Sequence, residues 1–99
     1  MIERDRVVEV LKTIYDPEIP INIWDLGLVY KLDISENNDI YVLMTLTFAG
    51  CPIGGYLVNK VEEELKKIEN VNSVKVELTF DPPWTPERMS EEARKEIGI

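Results

Sequence analysis

Apolar residues recur along the chain with two periods, one of about three to four residues and one of two. Val7, Leu11 and Ile14 have helical spacing, with charged residues between them, and predict a first helix over Glu3–Ile14. The following "DPEIPIN" predicts the end of this helix, because each proline restricts the residue before it to extended geometry.

The pattern of apolar residues after this helix predicts two strands and a second helix. Alternating apolar positions predict a half-buried strand over Gly27–Ile34, and a nearly continuous apolar run predicts a second over Ile40–Phe48. The "SENND" between them is typical of a tight turn, so the pair is predicted to form a hairpin. Apolar residues at helical spacing over 57–68 predict a second helix, beginning just after "AGCP".

The last third of the chain predicts a strand and a short helix. Alternation from Val74 to Phe80 indicates the third strand. Thr85 and Pro86 predict the start of the last helix, with Thr85 as its cap and Pro86 at the first helical position. The apolar stripe of this helix is thin. The helix is therefore expected either to pack loosely on the rest of the domain or to contact a partner or a second copy.

The resulting order, α-β-β-α-β-α, predicts the α+β class. We expect one two-layer domain over residues 1–99, with a small mixed three-stranded sheet covered by helices. The crossover after the hairpin allows the third strand to lie beside either of the first two. We expect it beside the first.

Composition narrows the function classes. The net charge of −8 argues against DNA or RNA as the main partner, because phosphate backbones require clustered Lys and Arg. No apolar run approaches the roughly 20 residues of a membrane span. A single cysteine excludes an internal disulfide framework, so we expect a cytoplasmic protein.

The single cysteine, Cys51, lies at the predicted junction of the second strand and the second helix. With Pro52 at the first helical position, Cys51 is predicted to be the N-cap, where unpaired N–H groups and the helix dipole lower the pKa of a thiol. Gly50 on the other side leaves the sulfur accessible. The alternative is a buried, structural cysteine whose neighbouring glycines serve only the turn. Local chemistry leaves both interpretations open.

The residue inventory limits what such a thiolate could do. The chain has no histidine, which excludes Cys–His catalysis, and no second cysteine, which excludes an internal C-x-x-C exchange pair or a mononuclear zinc site. Two classes remain: a thiolate that binds a soft metal or cluster together with ligands from elsewhere, and one that forms a mixed disulfide or transient adduct. Since Fe–S clusters need several thiolates, the other ligands would come from a second copy, an external thiol or a partner protein.

Other candidate residues surround this junction in the sequence. Asp16 and Glu18 in "DPE" and Asp25 in "WDLG" are ordinary turn formers, but they could shape a ligand site if their loop folds over the same end of the sheet. Thr47 could bond the loop backbone or the sulfur, or be a plain strand residue.

Two tryptophans occur in proline-rich or otherwise non-helical stretches. Trp24 and Trp84 are candidates for partner contacts. In such positions, covering the core is the commoner role.

Three segments, "YDPEIPINIWDLGLVYKLDI", "LTFAGCPIGGYLVNKVEEEL" and "VELTFDPPWTPERMSEEARKEIGI", together resemble the small iron–sulfur assembly domain family. That family includes SufT-like and PaaD-like proteins and the N-terminal domain of Mrp-type ATPase carriers. The resemblance covers nearly the whole chain, and it implies the same α-β-β-α-β-α fold. It also implies a metal–sulfur cluster biosynthetic role, in which the reactive cysteine of the T-x-x-x-C-P motif corresponds to Cys51 and its threonine to Thr47.

The resemblance leads to a functional expectation. We expect a cytoplasmic, non-enzymatic factor, working as a homodimer, that assembles or transfers iron–sulfur clusters with Cys51 as thiolate or ligand. Mrp-type carriers and client apoproteins would be its partners. PaaD-like members usually carry extra cysteines after this domain, so the present sequence favours the SufT-like role. Two alternatives are a scaffold that docks such proteins without binding metal and a thiol-dependent redox protein.

Overall fold

The computed structural model describes residues 2–16, 19–46 and 54–98. Its helices and strands follow one another in the predicted order, and they confirm the α+β class. A single 3₁₀ turn, Pro86–Arg88, precedes the last helix. The helices are α1 (Arg4–Leu11), α2 (Gly54–Lys66) and α3 (Glu91–Ile97), and the strands are β1 (Val29–Ile34), β2 (Asp39–Met44) and β3 (Ser73–Leu78).

The strand order is β1-β2-β3, so the expectation that the third strand lies beside the first is wrong. Strand β2 is central, antiparallel to β1 and parallel to β3. Two features explain this order. Helix α2 forms a crossover from the end of β2 to a parallel neighbour. The far edge of β1 is occupied by Arg4, whose Nη1 donates a hydrogen bond of 3.1 Å to the carbonyl oxygen of Leu32.

One face of the sheet bears the hydrophobic core. Leu32 lies opposite Val42, and Val42 lies beside Val76, so these side chains share a face. Helices α1 and α2 pack against each other, and α2 packs against β3. Burial of this face is the main stabilising contribution to the fold. The largest fully buried side chains are Leu11, Ile14, Ile23, Leu26, Leu28, Ile40, Met44, Leu57, Leu65, Val7, Val42 and Val61.

The ends of several elements differ from prediction. The last helix is capped by Ser90, whose Oγ accepts a 3.1 Å hydrogen bond from the backbone N–H of Ala93. Thr85 makes no side-chain cap bond, and the 3₁₀ turn that follows it ends at Met89 in an extended conformation. The prediction of a helix beginning at Thr85 is therefore wrong. Among the described residues, no helix is long and apolar enough to span a membrane.

Candidate functional site

The region of interest is the end of the sheet at which β2 and β3 finish. The described chain stops at Leu46, just after β2, and resumes at Gly54, the first residue of α2. After α2, the backbone N–H of Asn72 donates a 2.9 Å hydrogen bond to Asn38, at the beginning of β2. The crossover therefore returns to the opposite end, and α2 begins near the end of β2.

Five of the predicted site residues lie outside the described residues. They are Glu18, Thr47, Gly50, Cys51 and Pro52. Their proposed roles, including Cys51 as helix cap and thiolate, stay predictions. Both flanks of the 47–53 segment, Leu46 and Gly54, are described.

The loop between α1 and β1 lies at the same end of the sheet. The backbone N–H of Thr45 donates a 2.8 Å hydrogen bond to Leu28, which joins the exit of β2 to the entry of β1. This loop contains Asp16 and Asp25. The end of this loop therefore lies beside the exit of β2, and the site-shaping roles of Asp16 and Asp25 stay predictions.

Asp16 is buried, with 4% of its surface exposed. Its Oδ1 accepts a hydrogen bond of 3.2 Å from the backbone N–H of Ile19, and its own N–H donates to Ile21. A carboxylate that accepts a backbone N–H in this way stabilises a tight turn. The turn-forming role considered for Asp16 therefore has direct contacts in the structure.

Asp25 is paired with a residue that sequence reasoning missed, Asn22. The Asn22 Nδ2 donates a 2.8 Å hydrogen bond to Oδ2 of Asp25, and the backbone N–H of Asp25 donates 2.9 Å to Oδ1 of Asn22. The spacing of three residues with a side-chain amide is an Asx-type turn signal that the sequence contained. The pair fixes the orientation of a half-exposed carboxylate at this end of the sheet.

The backbone of the "DLG" motif receives the C-terminal segment. The Trp84 indole Nε1 donates a 2.6 Å hydrogen bond to the carbonyl of Leu26, and the backbone N–H of Ser90 donates 2.8 Å to the carbonyl of Asp25. Residues 84–90 are thereby fastened to the loop that contains Asp25. The motif has a structural role that its turn-forming composition alone did not reveal.

Gly27 completes this contact. Its φ is +79°, in the left-handed region that favours glycine. A Cβ at this position would lie 2.8 Å from the carbonyl carbon of Arg88 and closer still to its oxygen. The motif therefore needs glycine both for its backbone conformation and for the close approach of residue 88.

Both predicted contact tryptophans are half-buried and pack against the core. The Arg4 guanidinium carbon lies 6.0 Å from the centroid of the Trp24 ring, within cation–π range. Trp84 is held by the hydrogen bond to Leu26. These contacts give each side chain a role within its own chain, and partner contact by either one stays a prediction.

A second set of aromatic contacts borders the outer face of the sheet. The Tyr30 hydroxyl donates a 2.7 Å hydrogen bond to the carbonyl of Pro82, and the Arg88 guanidinium carbon lies 4.7 Å from the centroid of the Tyr30 ring. These residues border a shallow cavity of about 420 Å³. These contacts attach the C-terminal segment to β1 after the segment leaves β3.

Among the described residues, four large apolar side chains at this end of the molecule are exposed. We call them the apolar rim: Tyr15, Tyr56, Leu78 and Phe80, which are 55%, 57%, 39% and 41% exposed. Tyr15 follows α1, Tyr56 lies in the first turn of α2, and Leu78 and Phe80 lie at and beyond the end of β3. The alternating pattern of the third strand predicted apolar positions but gave no sign that two of them would be exposed.

Thr45 is a further residue that sequence reasoning missed. Its side chain is fully buried, and its Oγ1 has no hydrogen-bond partner in the described structure. A buried hydroxyl without a partner costs roughly 1–3 kcal/mol. Such groups are uncommon, and this one lies two residues before Thr47 at the end of β2.

Neighbouring groups lower the pKa values of two carboxyls, Asp39 and Glu64. Hydrogen bonds from Ser73, Asn72 and Ser35 lower the pKa of Asp39, at the opposite end of the sheet. The Lys67 ammonium lowers the pKa of Glu64 on α2. Within the described ranges, no group of three or more His, Cys, Asp or Glu residues is arranged to hold a metal ion.

Comparison with known proteins identifies relatives over nearly the full chain. A protein from Porphyromonas gingivalis named "Fe-S protein maturation auxiliary factor" is 42% identical over 94% of this chain and 89% of its own length. The Bacillus subtilis factor YitW, of the same description, is 34% identical over 97% and 94%. An iron-sulfur cluster carrier protein from Synechocystis is 28% identical over 99% of this chain but only 27% of its own length.

Solved structures give the same result for the fold. A conserved hypothetical protein from Thermotoga maritima is 48% identical, with a TM-score of 0.84 over 99% of this chain and 96% of that chain. A domain of unknown function from Bacillus anthracis is 38% identical, with a TM-score of 0.90 over 96% and 91%. The profile of the family described as "Iron-sulfur cluster assembly protein" matches residues 4–78. The chain therefore belongs to the iron–sulfur cluster assembly protein family.

Proposed function

We propose that this protein is a non-enzymatic, cytoplasmic iron–sulfur cluster assembly or transfer factor that helps to mature client proteins through the thiolate of Cys51. Kinship with maturation factors and a cluster carrier supports the general role. One structural observation supports the site: the loop with Asp16 and Asp25 and both flanks of the 47–53 segment occur at one end of the sheet.

The residue inventory determines how such a thiolate would work. The chain supplies one cysteine and no histidine, so it can contribute a single thiolate to a cluster. The cluster would be cargo, held transiently, with its other ligands from a partner protein, an external thiol or a second copy. We propose Mrp-type ATPase carriers and client apoproteins as the partners that exchange it, with the protein itself acting as a homodimer.

The carboxylates would act around this thiolate. The Asn22–Asp25 pair holds one carboxylate in a defined orientation, and Asp16 stabilises the turn that precedes it. Because carboxylates next to a thiolate disfavour additional negative charge, they would favour release of an anionic cluster over its retention. This arrangement suits transfer better than storage.

The test is anaerobic reconstitution with iron and sulfide. Wild type, Cys51→Ser, and the double variant Cys51→Ser/Asn37→Cys are compared by absorption spectrum and by mass in solution. Asn37 is exposed in the hairpin turn at the opposite end of the sheet, so the double variant retains one thiol in the wrong place. A chromophore in wild type alone supports the proposal. A chromophore of equal intensity in either variant, or none in wild type, contradicts the ligand role of Cys51.

A scaffold that docks carriers or clients without binding metal is the second candidate. The apolar rim favours it, because exposed aromatic and aliphatic side chains at one end of a small protein are typical of contact surfaces. Phe80→Ser should then reduce capture of an apoprotein or carrier several-fold, whereas Cys51→Ser should not. The opposite ranking of the two variants would contradict the scaffold role.

A further inference from the structure

The two edge strands of the sheet differ in the contacts that their outer backbone groups make with the rest of the described chain. At the edge of β1, Arg4 from α1 donates to the carbonyl of Leu32, which covers the middle of that strand. At the edge of β3, no described residue makes a comparable contact. Unpaired edges invite pairing with another strand, and proteins usually cover or disrupt them.

The orientation of the β3 backbone can be read from its pairing with β2. The N–H of Thr79 donates a 2.9 Å hydrogen bond to the carbonyl of Met44. The backbone N–H and C=O groups of every second residue counted back from Thr79 therefore point to β2. In a strand, the N–H and C=O of one residue point the same way, and successive residues alternate. Val74, Val76 and Leu78 therefore direct their backbone groups to the free edge.

Two charged side chains on the outer face of β3 form an ion pair with each other. Lys75 Nζ lies 3.0 Å from Oε1 of Glu77, and the Tyr41 hydroxyl donates a 3.0 Å hydrogen bond to Oε2 of the same carboxylate. A lysine alone on an edge strand opposes pairing. Here a carboxylate two residues away supplies the complementary charge.

We propose that the free edge of β3 is a homodimer interface, at which β3 pairs antiparallel with β3 of a second copy across a two-fold axis at Val76. The two three-stranded sheets then form one continuous sheet. Val76 of each copy exchanges backbone hydrogen bonds with the partner's Val76, and Val74 does so with the partner's Leu78.

Charge selects this register from its neighbours. With the axis at Val76, each Lys75 lies opposite the partner's Glu77, in a non-hydrogen-bonded pair where side chains are closest. Moving the axis to position 75 would place lysine opposite lysine, and moving it to position 77 would place glutamate opposite glutamate. Only the central register pairs unlike charges twice while keeping outward-facing backbone groups opposite each other.

The apolar side of the strand gains from the same pairing. Leu78 is 39% exposed in the isolated chain, and Val74 and Val76 are half-buried. In the proposed register these three side chains line the junction on the core face, between the α2 helices of the two copies. The interface therefore combines backbone pairing, apolar contact and charge complementarity along one short strand.

The geometry has a consequence for the functional site. Antiparallel pairing places the carboxyl ends of the two β3 strands, and with them the β2 exits at Leu46, on opposite sides of the axis. The two loops that contain Asp25, each beside a β2 exit, therefore lie apart in this dimer. The interface rests on the homodimer named in the proposed function, whereas the thiolate role of Cys51 is tested separately by reconstitution, so a failure of one is distinguishable from a failure of the other.

The experiment is a charge-swap test on the full chain in reducing buffer, with mass measured by sedimentation over a range of concentrations. Lys75→Glu and Glu77→Lys each place like charges opposite each other in a homodimer, so each should weaken association about tenfold. Mixing the two variants restores both unlike pairs between chains, although the ion pair within each chain stays broken. The mixture should associate as wild type does.

Circular dichroism establishes that both single variants are folded before the comparison. A wild type that is monomeric at several hundred micromolar overturns the proposal. So does undiminished association of either single variant, or a mixture no better associated than its components. Loss of association in both single variants, together with recovery in the mixture, identifies the register. With the axis at position 75 or 77, like charges already face each other in wild type, so neither single variant would weaken association.

Discussion

The indole nitrogen of Trp84 donates a hydrogen bond of 2.6 Å to the backbone carbonyl of Leu26, which is 58 residues away in sequence. This bond joins the C-terminal segment to the middle residue of the "DLG" motif. With the Ser90–Asp25 backbone bond, it holds the loop at the candidate site against residues 84–90. The tryptophan at this position thus acts on the site through the backbone of a loop.

Trp84→Phe should lower the free energy of unfolding by about 1–2 kcal/mol. The variant keeps an aromatic ring but removes the donor, which leaves the Leu26 carbonyl without this partner. Urea denaturation followed by far-ultraviolet circular dichroism measures the change. Trp24→Phe is the control, because no hydrogen bond of the Trp24 indole is seen within the described residues. Equal losses in the two variants would contradict a specific role for the bond.

Gly27→Ala should destabilise the protein more than Gly98→Ala does. Both glycines have a φ of about 80°, +79° at Gly27 and +80° at Gly98. Alanine in this region costs roughly 1–2 kcal/mol at either position. Only at Gly27 would the new Cβ also overlap the Arg88 backbone, whereas nothing lies within 4 Å at Gly98.

The difference between the two alanine variants isolates the contact with residue 88. Thermal unfolding should show a clearly lower Tm for Gly27→Ala, together with partial loss of the C-terminal contacts. Increased proteolysis after residue 80 would report that loss. If the two variants unfold at the same temperature, the close packing of Gly27 against Arg88 contributes nothing, and the motif needs glycine for its backbone conformation alone.

Sequence patterns predicted the elements of this fold better than their arrangement. The periods of α2 and β1 are strong because one face of each is buried, so their existence could be predicted. Strand order depends on which edge another element covers, and the Arg4–Leu32 bond that covers β1 spans 28 residues. Nothing in the local pattern around either residue indicates this contact.

The start of the last helix shows a different limit. Thr85-Pro86 and Ser90 are both acceptable helix starts, and Thr85 leads only to a 3₁₀ turn. Tertiary contacts decide between them, because residues 84–90 follow the "DLG" backbone before the chain can begin a helix. For the same reason, the motif could be predicted as a turn but not as the binding surface for a distant segment.

We expect Asp39 to make the stability of the hairpin end dependent on pH. Hydrogen bonds from Ser73 and Asn72, both 2.7 Å, hold the pKa of the Asp39 carboxyl below its ordinary value of about 3.9. A group whose pKa is lowered by folding stabilises the folded state above its unfolded pKa. This contribution is lost as the pH falls through the folded pKa.

Asp39→Asn should therefore be less stable than wild type at pH 7, and the difference should shrink progressively below about pH 4. Urea unfolding at a series of pH values measures this convergence. Glu36→Gln, which changes an exposed carboxylate of the same turn, is the control and should track wild type throughout. A difference between Asp39→Asn and wild type that is constant from pH 7 to pH 2.5 would contradict the assignment.

Thr45→Val should raise the stability of the protein by about 1 kcal/mol. Valine has nearly the shape of threonine, and it removes a buried hydroxyl that has no hydrogen-bond partner among the described residues. The control is Thr79→Val. The exposed Thr79 hydroxyl donates a 3.3 Å hydrogen bond to the carbonyl of Asp81 and accepts one of 3.3 Å from its N–H, so this substitution should not raise the free energy of unfolding. Denaturant unfolding compares the two. If Thr45→Val lowers stability, the hydroxyl has a partner in the folded protein.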